Sequence, residues 1–407
     1  MNPLKSSSTW AVVSLLALSV LAIAGSAFGA DAGRVLWVAN DGVDSTSCGM
    51  SRTTQCRSIT QAIQNAANGD TIQVGAGRYG DLNGDRDFAD AGEEHANSTL
   101  GCIVCITKSV RIFSLNGATI TMIDAAADNP ELKVGVAILA NGVTFGVKDH
   151  GFLITGAQAD GLLVYKANGA RVGGNLALKN GGSGFRGEDV GDSLLIADNT
   201  AMDNQHGFQV EASDPLANDN DVMLKRNIAI ANSFVGFIGF RRNAVLFGDV
   251  ATGNYLGFAL DEARFSLLES TAVGNTSSGI TTSNGPCCTF FGFKSRRDTI
   301  VGNQGPGIEI GVFSSGSDIQ ESNLYGNNTI AVTDEHGEQH LNCGVYNIDK
   351  HADVDVSATG NFWGRATGPG ADPADEAGGG SVGRTNCDVE NTTIVKPFSP
   401  TPFGITH

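Results

Sequence analysis

The chain has 407 residues, 54 of them glycine and only 10 proline, and a net charge of −17. That charge opposes nucleic-acid binding and adhesion to acidic membranes, and a polyanionic substrate would need calcium or a local basic patch to be held. No Pro- or Ser-rich linker divides the sequence, so one elongated repeat structure accounts for its length better than two or three globular domains.

Residues 1–30 read as a signal peptide. Lys5 precedes an apolar run from Ala11 to Ala24, and small residues follow in "GSAFGA". The run is too short to span a bilayer comfortably, and Ala27-Phe28-Gly29 suits a signal peptidase. The mature chain is therefore expected to be secreted, whether extracellular, at the cell surface or periplasmic. It should have no membrane span and be a monomer.

Residues 31–70 form an N-terminal segment. In "SITQAIQNAANGD" a capping box, Ser58 with Gln61, starts an amphipathic helix whose apolar Ile59, Ile63 and Ala66/Ala67 would plug an open core. "DTIQVGAGRY" then gives a strand.

Next, "DLNGDRDFADAGEE" puts Asp81, Asn83, Asp85 and Asp87 at alternate positions, with Asp90 and Glu93 after them. Oxygen ligands at positions 1, 3, 5 and 7 suit a calcium loop, so Ca2+ is the expected cofactor, held by Asp81, Asn83, Asp85, Asp87 and Glu93. The loop departs from the EF-hand pattern: Arg86 stands where glycine is usual, and Glu93 is one place late.

The chain has 8 cysteines, which in a secreted protein suggest disulfides. Cys48 with Cys56 and Cys343 with Cys387 are the expected pairs. Cys102 and Cys105 lie in an apparent strand, where residues i and i+3 face opposite ways, which argues against a bond between them. A bridge between adjacent Cys287 and Cys288 would be strained. The seven histidines show no pairing that suggests a site, and His206 reads as structural.

From residue 135 a repeat takes over. Leading glycines recur at Gly135, Gly161, Gly184, Gly207, Gly236, Gly257, Gly279 and Gly307, in steps of 26, 23, 23, 29, 21, 22 and 28 residues. A short period with variable insertions marks a solenoid. Counting the glycine as position 0, position +1 is always apolar (Val136, Leu162, Phe185, Phe208, Phe237, Phe258, Ile280, Ile308), and position +3 is apolar or small. Each coil also holds a second apolar stretch such as "SLLIA" or "DVMLK", hence at least two short strands. Asn180, Asn204, Asn232, Asn254, Asn275, Asn303 and Asn327 fall at matching turns, where asparagine tolerates left-handed backbone and its amide can bond its copy in the next coil. A leucine lattice, helical spacing and six-residue triplets are all absent. The fold class is all-β, a right-handed parallel β-helix over residues 71–365, followed by a C-terminal tail, 366–407, tethered by Cys343–Cys387.

"CRSITQAIQNAANGDTIQVGAGRY" resembles the opening segment of secreted pectin-lyase-like β-helix proteins, and "GNFWGRATGPG" is similar to the segment closing many of them. The resemblance covers residues 35 to 370. It implies architecture more than activity, because this fold hosts lyases, hydrolases, epimerases and adhesins.

The outward positions of the Gly-led strands supply the candidate site. Position +4 brings Tyr165, Glu188, Glu211, Phe240 and Asp261; position +5 brings Lys166, Asp189, Arg241 and Glu262; position +2 brings Arg186 and Gln209, and Arg242 and Arg264 follow. Coils stack at roughly 4.7–4.9 Å, so these residues would form one strip. An extracellular polysaccharide is the expected partner. As an enzyme, the strip would be a glycan lyase or hydrolase, with Glu211 and Asp261 as acid and base and Arg241 or Arg242 stabilising charge. Tyr165, Lys166, Arg186, Glu188, Asp189, Gln209, Phe240, Glu262 and Arg264 would bind substrate. The signatures of pectate lyases, polygalacturonases and alginate epimerases, such as Asp-Pro-His-Asp, are not visible. The rival reading is a non-catalytic surface or adhesion module, and a solvated strip of paired charges is the bland one.

Overall fold

The computed structural model describes residues 33–191, 193–213, 222–241, 243–262, 264–283, 293–311, 314, 316–334, 336–348, 355–377, 387–388 and 393–404. The expected signal peptide, Arg242, Cys287 and Cys288 lie outside the described residues.

Each coil contributes one strand to each of three parallel sheets. Sheet A has 13 strands, sheet B 10 and sheet C 11 among the described residues. One coil illustrates the order: Leu195–Ala197 joins sheet A, Thr200–Met202 sheet B and His206–Glu211 sheet C. The chain is a parallel β-helix. Its sheets reach past the expected 71–365, because Val35–Val38 pairs with Thr71–Val74 and Thr393–Ile394 pairs with Val356–Ser357. Position +1 of sheet C is the spine of the core. Phe185, Phe208, Phe237 and Phe258 stack in register, with ring centroids 5.0, 4.9 and 4.8 Å apart. That spacing is the interstrand distance itself, so the rings stack because the rungs do.

The asparagines form the expected ladder at the corner between sheets B and C. Asn204 Nδ2 donates to Asn232 Oδ1 at 3.2 Å and Asn232 Nδ2 to Asn254 Oδ1 at 2.9 Å. Each amide also donates back to a carbonyl of the preceding coil, as Asn204 does to Ala177 at 3.0 Å. One expectation is corrected. The left-handed residue is not the asparagine but the one before it, at Lys179, Asp203, Ala231 and Gly253. The bend there turns the asparagine amide inward, where it closes the ladder.

The leading glycine is required by that ladder. A Cβ on Gly184 would lie 2.8 Å from Ala201 Cβ, 2.9 Å from Gly207 O and 3.0 Å from Asn204 Nδ2. Asparagine and glycine therefore recur together because they occupy the same corner from two sides.

A second ladder was not foreseen. Asn175, Asn199, Asn227, Asp249, Ser270, Asp298 and Ser322 line the corner between sheets A and B, each five residues before a member of the first ladder. Its mixed chemistry hid it.

The helix Ile59–Asn65 plugs the core as expected, with Ile59, Ala62 and Ile63 buried. Only half of the capping box forms. Ser58 Oγ accepts from Gln61 N at 3.1 Å, but the Gln61 side chain turns to Asn65, and the buried Glu94 carboxylate takes the N–H groups of Ile59 and Thr60, both at 2.8 Å. No helix among the described residues is long and apolar enough to cross a membrane.

Three disulfides are present among the described residues: Cys48–Cys56, Cys343–Cys387 and, against expectation, Cys102–Cys105. The reason is a step in the sheet C strand. Ile103 and Val104 both face the core, so the cysteines on either side of them both face outward. Simple alternation fails at this one place in every coil. Cys102 pairs with Val134, at position −1, and Cys105 pairs with Ala137, at position +2.

Candidate functional site

The same step shapes the outer face of sheet C. Positions −1, +2 and +4 all point outward, and pairing carries each lane from coil to coil. The +4 lane runs Tyr165, Glu188, Glu211, Phe240, Asp261, Ser283, in register throughout. The +2 lane runs Leu163, Arg186, Gln209, Ile238, Ala259, Thr281, Glu309, Tyr346.

Arg186 is the hub of the first half. Its Nη2 meets Glu188 Oε2 at 3.0 Å, its Nε donates to Glu211 Oε1 at 3.0 Å, and its Nη1 reaches Asp160 Oδ2 at 3.5 Å. Gln209 Nε2 donates to Glu211 Oε2 at 2.8 Å, and Ser183 Oγ donates to Gln209 Oε1 at 2.8 Å. Both oxygens of Glu211 are thus engaged. Burial would lower the Arg186 pKa, but Glu211, Asp160 and Glu188 more than offset it and hold the guanidinium charged. Burial raises the Asp160 carboxyl, against its hydrogen bond from Ser183 N and the charge of Arg186.

Asp160 and His206 are absent from the expected strip. Both stand at position −1, which strict alternation would turn inward. Burial lowers the His206 pKa against the pull of Asp160, and its Nδ1 is buried without a hydrogen-bond partner. The ring meets Phe234 edge-on at 5.4 Å, and Phe234 stacks on Tyr255 at 5.5 Å, with both aromatics exposed. The signal for these residues was available: Asp160, Ser183 and His206 precede three successive leading glycines.

The second half is differently built. Asp261 Oδ1 accepts from Ser283 N at 2.9 Å and from Ser283 Oγ at 2.8 Å, while its Oδ2 accepts no hydrogen bond among the described residues. Burial raises its pKa, opposed by those bonds and aided by the charge of Glu262. Arg241 is not free to face a substrate. Its Nε meets Glu262 Oε2 at 2.6 Å, and its guanidinium lies 4.6 Å from the Phe240 ring centre. Further along, Ser278 Oγ donates to Glu309 Oε2 at 3.0 Å, and burial raises the Glu309 pKa. Lys166, Asp189, Arg241 and Glu262 occupy the corner after the strand, all with left-handed backbone. Lys166 lies over Tyr165 at 4.8 Å, Asp189 Oδ2 accepts from Ser213 Oγ at 3.0 Å, and Arg264 N donates to Asn243 Oδ1 at 3.0 Å. Away from the strip, a pocket of about 440 Å³ opens at the corner of sheets A and B. Of its four charged residues, Lys148, Asp149, Asp198 and Arg226, the last two are bonded to each other.

The acidic loop is partly assembled. Ligand oxygens of Asp81, Asp85 and Glu93 lie within 4.8 Å of one another. Asp81 Oδ1 accepts from Gly84 N at 2.7 Å and Oδ2 from Arg86 N at 3.1 Å, and Arg86 takes the left-handed turn (φ 66) usual for the glycine it replaces. Asp87 stands outside that trio. Asn83 Nδ2 donates to Asp85 at 2.8 Å and Asp90 at 2.6 Å, and Asp87 Oδ1 caps Ala89 N at 2.9 Å. A further correction concerns the histidines: His340 Nε2 pairs with Asp334 Oδ2 at 3.1 Å in a small hairpin.

No protein-family model matches the chain, and no curated protein is similar to it in sequence. Among solved structures it is similar to pectate lyase Pel9A, at 16% identity over 71% of this chain and 79% of that one, with a TM-score of 0.46. It is similar to a rhamnogalacturonan lyase at 11% identity over 90% and 88%, TM-score 0.40. A variant of the periplasmic alginate epimerase AlgG follows at 14% identity over 82% and 69%, TM-score 0.43. Three stacked parallel sheets, rather than these distant likenesses, give the chain the fold of a parallel β-helix.

Proposed function

We propose that the outer face of sheet C binds an extracellular polysaccharide lying along the stacked coils. The observation that carries this is the unbroken register of Tyr165, Glu188, Glu211, Phe240, Asp261 and Ser283. Five interstrand steps span roughly 24 Å, a length suited to several sugar rings rather than to one small molecule. The exposed rings of Phe234 and Tyr255 border the strip and offer apolar surface. Acids outnumber bases: Asp160, Glu188, Asp189, Glu211, Asp261, Glu262 and Glu309 face Lys166, Arg186, Arg241 and Arg264. A neutral glycan is therefore favoured over a polyuronate unless calcium bridges the two.

In the enzymatic version, a hydrolase, Asp261 is the proton donor, because burial keeps its carboxyl protonated to higher pH and its Oδ2 is uncommitted. Glu211, two coils away, was the expected partner. With both oxygens committed to Arg186 and Gln209, it fits better as the group that holds Arg186 in place. Arg241, already paired with Glu262, would stabilise charge only by leaving it. Mutual satisfaction of the Arg186 cluster favours the second reading, a non-catalytic surface module.

Three disulfides fit a protein that works outside the cytoplasm, as a secreted monomer. Calcium, held by Asp81, Asp85 and Glu93 and completed by Asn83, Asp87 or water, would order the 81–93 loop beside the first coils. Neutral glycans, pectate and alginate separate the readings. Each would be tested for binding, for new reducing ends and for ultraviolet-absorbing unsaturated products, with and without chelator. Binding abolished by Tyr165→Ala or Glu188→Gln supports the strip. Product formation that Asp261→Asn removes while binding persists supports the enzyme. Absence of binding to every glycan overturns the proposal.

A further inference from the structure

In sequence His336 and His340 showed no pairing that suggests a site, but the fold gathers donors around His340. Val332–Thr333 and Gln339–His340 pair as an antiparallel hairpin, with Val332 opposite His340. Asp334 Oδ1 accepts the N–H groups of His336 at 2.9 Å and Glu338 at 2.8 Å, which curls the loop back on itself. One donor atom each from Asp334, Glu338 and His340 then lie within 4.8 Å of one another. The His340 and Asp334 side chains are each only 4% exposed, and the imidazole packs on Tyr346 with ring centres 5.0 Å apart.

The bond between His340 and Asp334 accounts for two of these groups but not for the third. The Glu338 carboxylate is exposed, makes no hydrogen bond among the described residues, and still converges on a second carboxylate. Among the described residues no lysine or arginine pairs with Asp334 or Glu338. Two like charges meeting at an imidazole, without a basic partner, are what a cation would relieve.

We propose that this hairpin binds one divalent transition-metal ion of the Zn2+ class through Asp334, Glu338 and a ring nitrogen of His340. The imidazole sets the class: calcium and magnesium prefer all-oxygen shells, whereas zinc and its neighbours take nitrogen with carboxylate. Ligands about 2.0–2.2 Å from a tetrahedral ion stand roughly 3.4 Å apart, so the donors need only a small closing rotation, which the exposed Glu338 can make. Three protein ligands would leave a tetrahedral ion a fourth position for water. The ring nitrogen that binds the ion must present its lone pair to it. Because Tyr346 stands in the +2 lane beside Glu309, the ion fastens the hairpin against the far end of the outward strip.

The test is equilibrium dialysis of the full chain against Zn2+, with Ca2+ in excess to occupy the 81–93 loop. Wild type should retain one Zn2+ per chain at this site. Glu338→Gln and His340→Gln should each weaken it by ~10- to 100-fold, a loss seen even when a group that merely orients a ligand is removed. Asp81→Asn should leave it unchanged. Glu338→Gln guards against misfolding, since among the described residues that carboxylate has no hydrogen-bond partner, and its unfolding in chelator should match wild type. Failure of wild type to retain Zn2+, or equal retention by both hairpin variants, overturns the proposal.

Discussion

Asn327 donates from Nδ2 to Asp375 Oδ2 at 2.7 Å, so the amide ladder between sheets B and C ends on a buried carboxyl. The other ladder contains one too. Asp249 Oδ1 accepts both the N–H and Nδ2 of Asn227, at 2.7 and 2.9 Å, and its Oδ2 is buried without a partner. In neighbouring asparagines that second place belongs to Nδ2, a donor. An aspartate matches it only when protonated.

Both acids predict a pH dependence. Burial pushes Asp249 and Asp375 up to about 7 from 3.8, against hydrogen bonds from Asn227 and Asn327. The folded state thus holds their protons more tightly than the unfolded chain does. Their contribution is complete below pH 3.8 and is lost as pH rises towards 7. Asp249→Asn should flatten the stability profile over that window, match wild type near its acid end and be more stable than wild type at pH ~8. Urea unfolding across the range checks it, and an unchanged slope refutes it.

The first ladder predicts a graded loss. Asn232→Ala removes the acceptor of Asn204 Nδ2 and the donor to Asn254 Oδ1 in one step. Leaving such buried groups unsatisfied costs about 1–3 kcal/mol each, so a total of about 2–4 kcal/mol is expected in equilibrium unfolding. Gly236→Ala strikes the same corner from the other side. Its Cβ would stand 2.7 Å from Gly257 O and 3.0 Å from Asn254 Nδ2, and it should destabilise although the backbone there is not left-handed.

The disulfides should differ in worth. Cys343–Cys387 spans 44 residues and Cys102–Cys105 only 3. Loop-closure entropy assigns about 4 kcal/mol to the first and about 2 kcal/mol to the second. Paired Cys→Ser variants, compared by chemical denaturation, should preserve that order.

Arg186→Ala leaves Asp160, Glu188 and Glu211 facing one another without their shared cation. Glycan binding should fall further than with Arg186→Lys, which keeps the charge but loses the forked contacts. Equal losses would mean that only net charge matters at this end of the strip.

Much of this molecule was legible because a solenoid writes its neighbours into the chain at a fixed interval. Phe208 and Phe237 stack, and Glu188 and Glu211 stand side by side, as their spacing required. Legibility failed where a rule of strict alternation was applied too far. Cys102–Cys105 was misread, and Asp160 and His206 were left out of the strip, for one reason: two successive residues turn inward at the start of each sheet C strand. The second ladder was missed because Asn, Asp and Ser share the role.

By itself, the sequence determined the repeat, the apolar spine, the coupled asparagine and glycine, and the order of residues along the outer strip, since all follow from a period that stacking converts directly into contact. Only the tertiary structure decided which outward groups are already satisfied by one another. That Glu211 is bound by Arg186 and Gln209, that Asp261 keeps an open oxygen, and that Glu338 converges on His340 depend on side-chain directions at corners and steps. Those directions are set by packing against the neighbouring coil, and no interval along the chain encodes them.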